Sequence, residues 1–241
     1  MRICLALLAC WVGFSGGALA QAPVVVEIFT SPSCSDAPSA DAAFAQIVAE
    51  NQEKIIALSC ALTFLNLPTD DIDLLLARLE EPCNARSMAY ARAGINSSYS
   101  IPAILLNGAE EVTGVAVPVV QGAIARAAAV GTMVPLNVVH AAGMLQISFP
   151  PLQQEGVWDV WVFAYRAQGF QVLTDNDGRN QMAVYAHPVL AAKKAGPWHA
   201  GMDVLDVPLA DIPGAEDADG YAVLLQHPQT MEIIAAGQAL R

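Results

Sequence analysis

The sequence predicts an α/β domain in its first half and a mostly β unit in its second, on three observations. Between residues 24 and 130, β-branched apolar runs alternate with stretches whose apolar residues recur at helical spacing. After Gly131 the rhythm changes to period two, the alternation of half-buried strands. With 55% hydrophobic residues over 241 positions, the chain has ample material for a sizeable core.

The first twenty residues read as a signal peptide. Met1-Arg2 is a short positive start, Ile3 to Phe14 carries no charge, and Ala18-Leu19-Ala20 is the small-residue pattern that a signal peptidase cleaves. The apolar stretch is too short to span a bilayer comfortably. Cys10 stands too early in it for Leu7-Leu8-Ala9-Cys10 to serve as a lipidation box. The expected organisation is a signal peptide over 1–20, a first domain over 21–130 and a β-rich domain over 131–241. Val112 to Leu136 is apolar too, but Gly114, Pro118, Gln121 and Arg126 interrupt it, so no membrane insertion is expected after cleavage. The expected location is secreted or periplasmic, where disulfides persist.

The first half orders its elements plainly. Val24 to Thr30 is a β-branched run that suits a buried strand, closed by Ser31-Pro32-Ser33. Ser35 or Asp36 caps a helix with Pro38 in its first turn and Ala40, Phe44, Ile47 and Val48 along one side. Ile55 to Leu62 is a second strand. Asp71 to Leu79 and Asn84 to Ala93 read as helices divided at Pro82. Ile101 to Leu106 is a third strand, and Asn107-Gly108 turns it back into an antiparallel partner over Glu110 to Val115. Pro118 to Ala129 completes this half as a helix. Alternating strands and helices predict a parallel-containing sheet covered on both faces.

In the second half, Leu136 to His140 and Met144 to Ser148 flank Ala142-Gly143 as a hairpin. Trp158 to Tyr165, Val184 to Leu190, Val204 to Pro208, Tyr221 to Gln226 and Thr230 to Ala236 are further strands. Turns fall at Asn176-Asp177-Gly178 and Pro213-Gly214.

Charge excludes several functions. Asp and Glu number 23 against 11 Lys and Arg, a net charge of −12, which argues against nucleic acid and anionic membrane surfaces. His140, His187, His199 and His227 lack ligand-like spacing, and Asp70-Asp71-x-Asp73 lacks the glycine and distal glutamate of a calcium loop. No G-x-S-x-G surrounds the serines near Cys34. No metal or cofactor is expected. An unidentified protein or peptide partner is compatible with the chain.

Three of the 5 cysteines follow the signal peptide: Cys34, Cys60 and Cys83. Cys34 stands just past a strand where a helix begins, a placement that favours a thiolate. Pro102 cannot donate to a sheet ladder and belongs at the start of its strand, in a site suited to a cis peptide bond. Three pairings are open: Cys34–Cys60, Cys34–Cys83 and Cys60–Cys83. A β-α-β unit gathers strand ends and helix starts at one edge, which makes Cys60–Cys83 the expected bridge and leaves Cys34 free.

Strand, cysteine before a helix, then a proline-led strand: this order resembles the thioredoxin fold. More narrowly, the chain resembles a family of secreted bacterial thioredoxin-like proteins of unknown function, domain of unknown function 1223. The residues that carry the likeness are Glu27-Ile28-Phe29-Thr30-Ser31, then Cys34-Ser35, Pro38, Ala40 and Asp41. Ile56-Ala57-Leu58-Ser59, Arg86 with Ala89-Tyr90-Ala91, Pro102 and Asn107-Gly108 continue it. Gly178-Arg179, Tyr185 and the stretch from Gly196 to Gly201 extend it through the second half. The resemblance implies an α/β thioredoxin-like domain followed by a mostly β extension, with Cys34 as candidate catalytic thiol and Pro102 as a cis-proline beside it. It carries no settled activity.

Where the family has the second cysteine of its C-x-x-C, this chain has Ala37. Ala61 to Leu67 replaces a polar, aromatic-rich stretch, and Ile101 replaces the family's usual Thr. A dithiol oxidoreductase releases its mixed disulfide through a resolving thiol, which Ala37 cannot supply. Two readings follow. One is an exported, non-catalytic or degenerate binding protein; the other is a periplasmic monothiol or disulfide redox protein that uses Cys34.

Overall fold

The computed structural model describes residues 22–63, 81–96, 98–174 and 180–241. The expected signal peptide, the expected helix over Asp71 to Leu79 and the expected turn at Asn176-Asp177-Gly178 lie outside them.

Strand β1 (Val24–Thr30) is buried along its whole length and sits between β2 (Ile55–Ala61), to which it runs parallel, and β3 (Ala103–Leu106), to which it runs antiparallel. A tight turn at Asn107 and Gly108, both at positive φ, leads into β4 (Glu110–Val112) and completes a sheet of order β2-β1-β3-β4. Helix α1 (Ala37–Glu50) opens with Pro38 in its first turn and buries Ala40, Phe44, Ile47 and Val48. Helix α2 (Pro82–Arg92) also opens on proline. Helix α3 (Val117–Val130) closes on Gly131 in the left-handed conformation, φ 65°.

Alternation decides what each face of β1 touches. Val24, Val26 and Ile28 pack on Phe44, Ile47 and Val48 of α1 and on Val120 and Ile124 of α3. Val25, with Ile56 and Leu58 of β2, faces the other way, onto Phe163, Tyr165, Ala222 and Leu224 of a second sheet.

That second sheet has five strands in the order β11-β8-β13-β14-β5: β11 (Val189–His199), β8 (Val157–Tyr165), β13 (Gly220–Gln226), β14 (Ile233–Leu240) and β5 (Val134–Pro135). Its far face, with Val160, Val162, Val223 and Leu225, packs on Leu145, Ile147 and Val207. Those belong to a three-stranded sheet of β6 (Asn137–Ala141), β7 (Met144–Ser148) and β12 (Val204–Pro208). A hairpin of β9 (Gln168–Thr174) and β10 (Asn180–Ala186) lies against α1.

This architecture corrects the expected α/β thioredoxin-like domain with a β extension. Fourteen strands in four sheets stand against three α-helices among the described residues, so the protein is mostly β. The first sheet has helices α1 and α3 on one face and another sheet over much of its other face. Continuous apolar strands demand cover on both faces but do not say what supplies it, and here half of the cover is β.

Candidate functional site

Cys34 follows the turn that ends β1. Its backbone N–H donates to the Ser31 carbonyl at 2.9 Å, and its own carbonyl accepts from Ala37 N–H at 3.1 Å, so the thiol stands just ahead of α1. The sulfur is half-buried and free, 3.6 Å from the Ile101 carbonyl oxygen. Ile101–Pro102 is a cis peptide bond. Cys34 and Pro102 are thus brought to one place. Ala37 is buried, at 1% exposure.

One helical turn after Ala37, Asp41 is buried, and neither carboxylate oxygen accepts a hydrogen bond from the described residues. Burial pushes its carboxyl up to about 6, and the nearby Thr30 side chain offsets only part of that.

Cys60, at the end of β2, is bonded to Cys83 in the first turn of α2, with Cα atoms 5.3 Å apart. The bridge anchors α2 against the first sheet. Beside it Thr63 donates through Oγ1 to Glu81, while Asn84 donates to Thr63 at 2.8 Å.

The main polar cluster is one that motif reasoning did not assemble. Glu27 lies on the face of β1 turned towards α2 and accepts from Arg86 at both oxygens, 2.5 Å to Nε and 2.9 Å to Nη2. Arg86 Nη2 also donates to the Tyr90 hydroxyl, and Nη1 to Gln226 Oε1, both at 2.8 Å. Tyr90 in turn donates to Glu27. Gln226 Nε2 reaches the Met231 carbonyl at 2.6 Å. Burial alone disfavours the guanidinium charge, yet the adjacent Glu27 carboxylate holds the Arg86 pKa above its ordinary value. Burial pushes the Tyr90 phenol well up, so it stays protonated and donating. The cluster joins β1, α2 and β13, three elements from both halves of the chain. A sequence signal for it existed: Glu27 is the one charge in an otherwise apolar, β-branched strand, and a buried charge requires a partner.

Between α2 and the five-stranded sheet lies a cleft of about 300 Å³. Ala85 and Ala89, one helical turn apart on α2, line it together with Trp161 of β8, Ala192 and Met231. Arg86, Gln226, Asp159 and His227 supply its polar groups, the His227 Nδ1 accepting from the Gln229 and Thr230 N–H groups. Gln226 and Asp159 are direct cross-strand partners, and Asp159 Oδ1 accepts from Lys194 Nζ at 2.7 Å.

Among the histidines, His187 stacks on Tyr165 with ring centroids 4.9 Å apart, and burial lowers its pKa. His140 and His227 sit edge-on to Tyr221 and Trp158. Among the described residues no three His, Cys, Asp or Glu side chains form a metal-ligating group, and no helix is long and apolar enough to cross a membrane.

Fold and site together define a class: a mostly β protein of stacked sheets with, among the described residues, one disulfide, one free thiol just past β1 and a buried Glu–Arg pair beneath an apolar cleft. The chain belongs to the family described as protein of unknown function (DUF1223), whose pattern matches residues 25–226. No curated protein matches it. Among solved structures it is similar to protein AGR_C_4864 from Agrobacterium tumefaciens, with a TM-score of 0.70 and 24% identity over 91% of this chain and 95% of that one. It is also similar to HBP35 of Porphyromonas gingivalis, with a TM-score of 0.60 and 14% identity over 91% of this chain and 75% of the other. At these identities the likeness concerns the fold.

Proposed function

We propose that the chain is an exported binding protein without redox turnover, which holds its partner in the crevice between the first sheet with α2 and the five-stranded sheet. One observation carries this reading: Cys34 is the single free cysteine among the described residues, because Cys60 and Cys83 are bonded to each other. Thiol–disulfide catalysis needs a second thiol to resolve the mixed disulfide, and position 37 offers a buried alanine. Export is supported by the cleavable pattern of residues 1–20 and by the disulfide, which persists in oxidising compartments.

A second reading, Cys34 as a periplasmic monothiol, has in its favour the half-exposed sulfur beside the Ile101 carbonyl. One pair of assays on wild-type and Cys34→Ser protein separates the two. Exchange with glutathione disulfide is followed in both, and both are screened by thermal shift against a panel of small aromatic molecules. The binding reading expects slow, stoichiometric reaction of the thiol, and ligand stabilisation that survives Cys34→Ser. Catalytic turnover that depends on Cys34 overturns it.

A further inference from the structure

We propose that the cleft between α2 and the five-stranded sheet is a binding site for a flat, uncharged aromatic carboxamide. The proposal rests on the binding reading above and names the ligand class of that crevice.

The walls set the shape. Pro82, Ala85 and Ala89 form the helix side, and the small alanines leave space beside the half-buried Trp161 ring, whose centroid lies 6.0 Å from the Arg86 guanidinium carbon. Ala192 keeps a third side open where a larger side chain would fill it. A slot of about 300 Å³ with an indole wall suits a single planar ring, which stacks at little entropic cost.

The floor sets the chemistry. A guanidinium has five N–H hydrogens. In Arg86, Nε gives one to Glu27, Nη2 gives one to Glu27 and one to Tyr90, and Nη1 gives one to Gln226. The second Nη1 hydrogen has no acceptor among the described residues, although Arg86 is only 5% exposed and lines the cleft. A buried donor left over in this way is costly until a ligand oxygen meets it. Asp159 offers the complement. Its Oδ1 is taken by Lys194, while Oδ2 accepts from no described residue. A carboxamide carries an acceptor and a donor side by side: its oxygen meets Arg86, and its N–H meets Asp159.

The charges argue against an ionic ligand. Arg86 is neutralised by Glu27 and Asp159 by Lys194, so the cleft holds no unpaired charge to offset desolvation of an ion. A carboxylate ligand would also face Asp159.

The test titrates benzamide into the exported protein with 15N-labelled tryptophan and follows the Trp161 indole resonance, identified from Trp161→Phe. The expected result is a saturable shift of that resonance, and at least about tenfold weaker binding of benzoate, which lacks the donor and brings a charge. Ala89→Leu fills the slot without touching the polar floor and is expected to abolish the shift. Ala192→Leu does the same from the sheet side should the helix variant fold poorly. No Trp161 shift up to the solubility limit of benzamide, or an unchanged shift in a folded filling variant, overturns the proposal. If other panel compounds still stabilise both wild-type and Cys34→Ser protein, the site assignment falls and the binding reading stands. Cys34-dependent turnover removes the binding reading itself, and with it this inference.

Discussion

Glu27 and Arg86, 59 residues apart in the chain, meet as a bidentate ion pair with both side chains almost wholly buried. Such a pair stabilises little relative to apolar residues, but removing one partner strands a buried charge. Glu27→Gln is expected to cost about 3–5 kcal/mol in urea unfolding. Glu27→Leu combined with Arg86→Met is expected to recover much of that loss. Equal damage from the single and the double change would contradict the pair's role.

The Cys60–Cys83 bridge closes a loop with a sequence separation of 23 residues. Cross-linking a loop of that length removes unfolded-state entropy worth about 3 kcal/mol. Cys60→Ala with Cys83→Ala is expected to lower stability by that order. Equal urea midpoints with and without the bridge would refute the expectation. Peptide mapping under non-reducing conditions is expected to show this one link, with Cys34 open to alkylation.

Asp41 gives the protein a distinct pH dependence. Its pKa is raised on folding from 3.8 to about 6, so the folded state holds the proton more tightly than the unfolded chain. Its contribution to stability is therefore fully present below about pH 4 and is lost as the pH rises through about 6. Asp41→Asn removes this loss and is expected to stabilise the protein at pH 7–8 by roughly 1–2 kcal/mol once solvent screening is discounted. Urea midpoints across pH 4 to 8 check it: a wild-type curve parallel to that of the variant would sink the assignment.

Gly108 is held where no side chain fits. Its φ is +64°, and an added Cβ collides with the Met231 carbonyl oxygen, where the first sheet meets the loop before β14. The same junction is tied by Val25 N–H to Asn107 Oδ1 at 2.8 Å and by Ile233 N–H to the Asn107 carbonyl at 2.8 Å. Gly108→Ala is expected to cost about 2 kcal/mol or more, from both the collision and the left-handed backbone. Gly114→Ala, also at positive φ but with open space around it, separates the two terms and is expected to cost about 1 kcal/mol.

Local pattern is a good guide to which segments become strands and helices, even where a strand's partner lies far along the chain, as Leu106 does from Val26. The run from Val24 to Thr30, the Pro-led helices α1 and α3, and the Asn107-Gly108 hairpin are all readable because propensity, turn chemistry and burial agree there. Strand β11 was not readable. Lys193-Lys194 and Gly196-Pro197 break the period-two pattern, and the strand survives by shifting register against β8 between Val189 and Ala191 and again between Lys194 and Gly196. The expected strand over Val184 to Leu190 divides at His187, whose φ of 50° separates β10 from β11.

The sequence by itself determined the strands of the first half, its helices α1 to α3, the Asn107-Gly108 turn, the three pairings open to Cys34, Cys60 and Cys83, and a net charge of −12. Each of these depends on short-range spacing or on counts. Only the tertiary structure decided that a second sheet, rather than a helix, covers much of the first, that Arg86 finds both Glu27 and Gln226, and that two alanines on α2 leave a slot beside Trp161. Arg86 alone joins residues 59 and 140 positions away in the chain. Such pairings follow from which apolar faces bury one another in three dimensions, and an apolar run carries the demand for cover without naming the element that meets it.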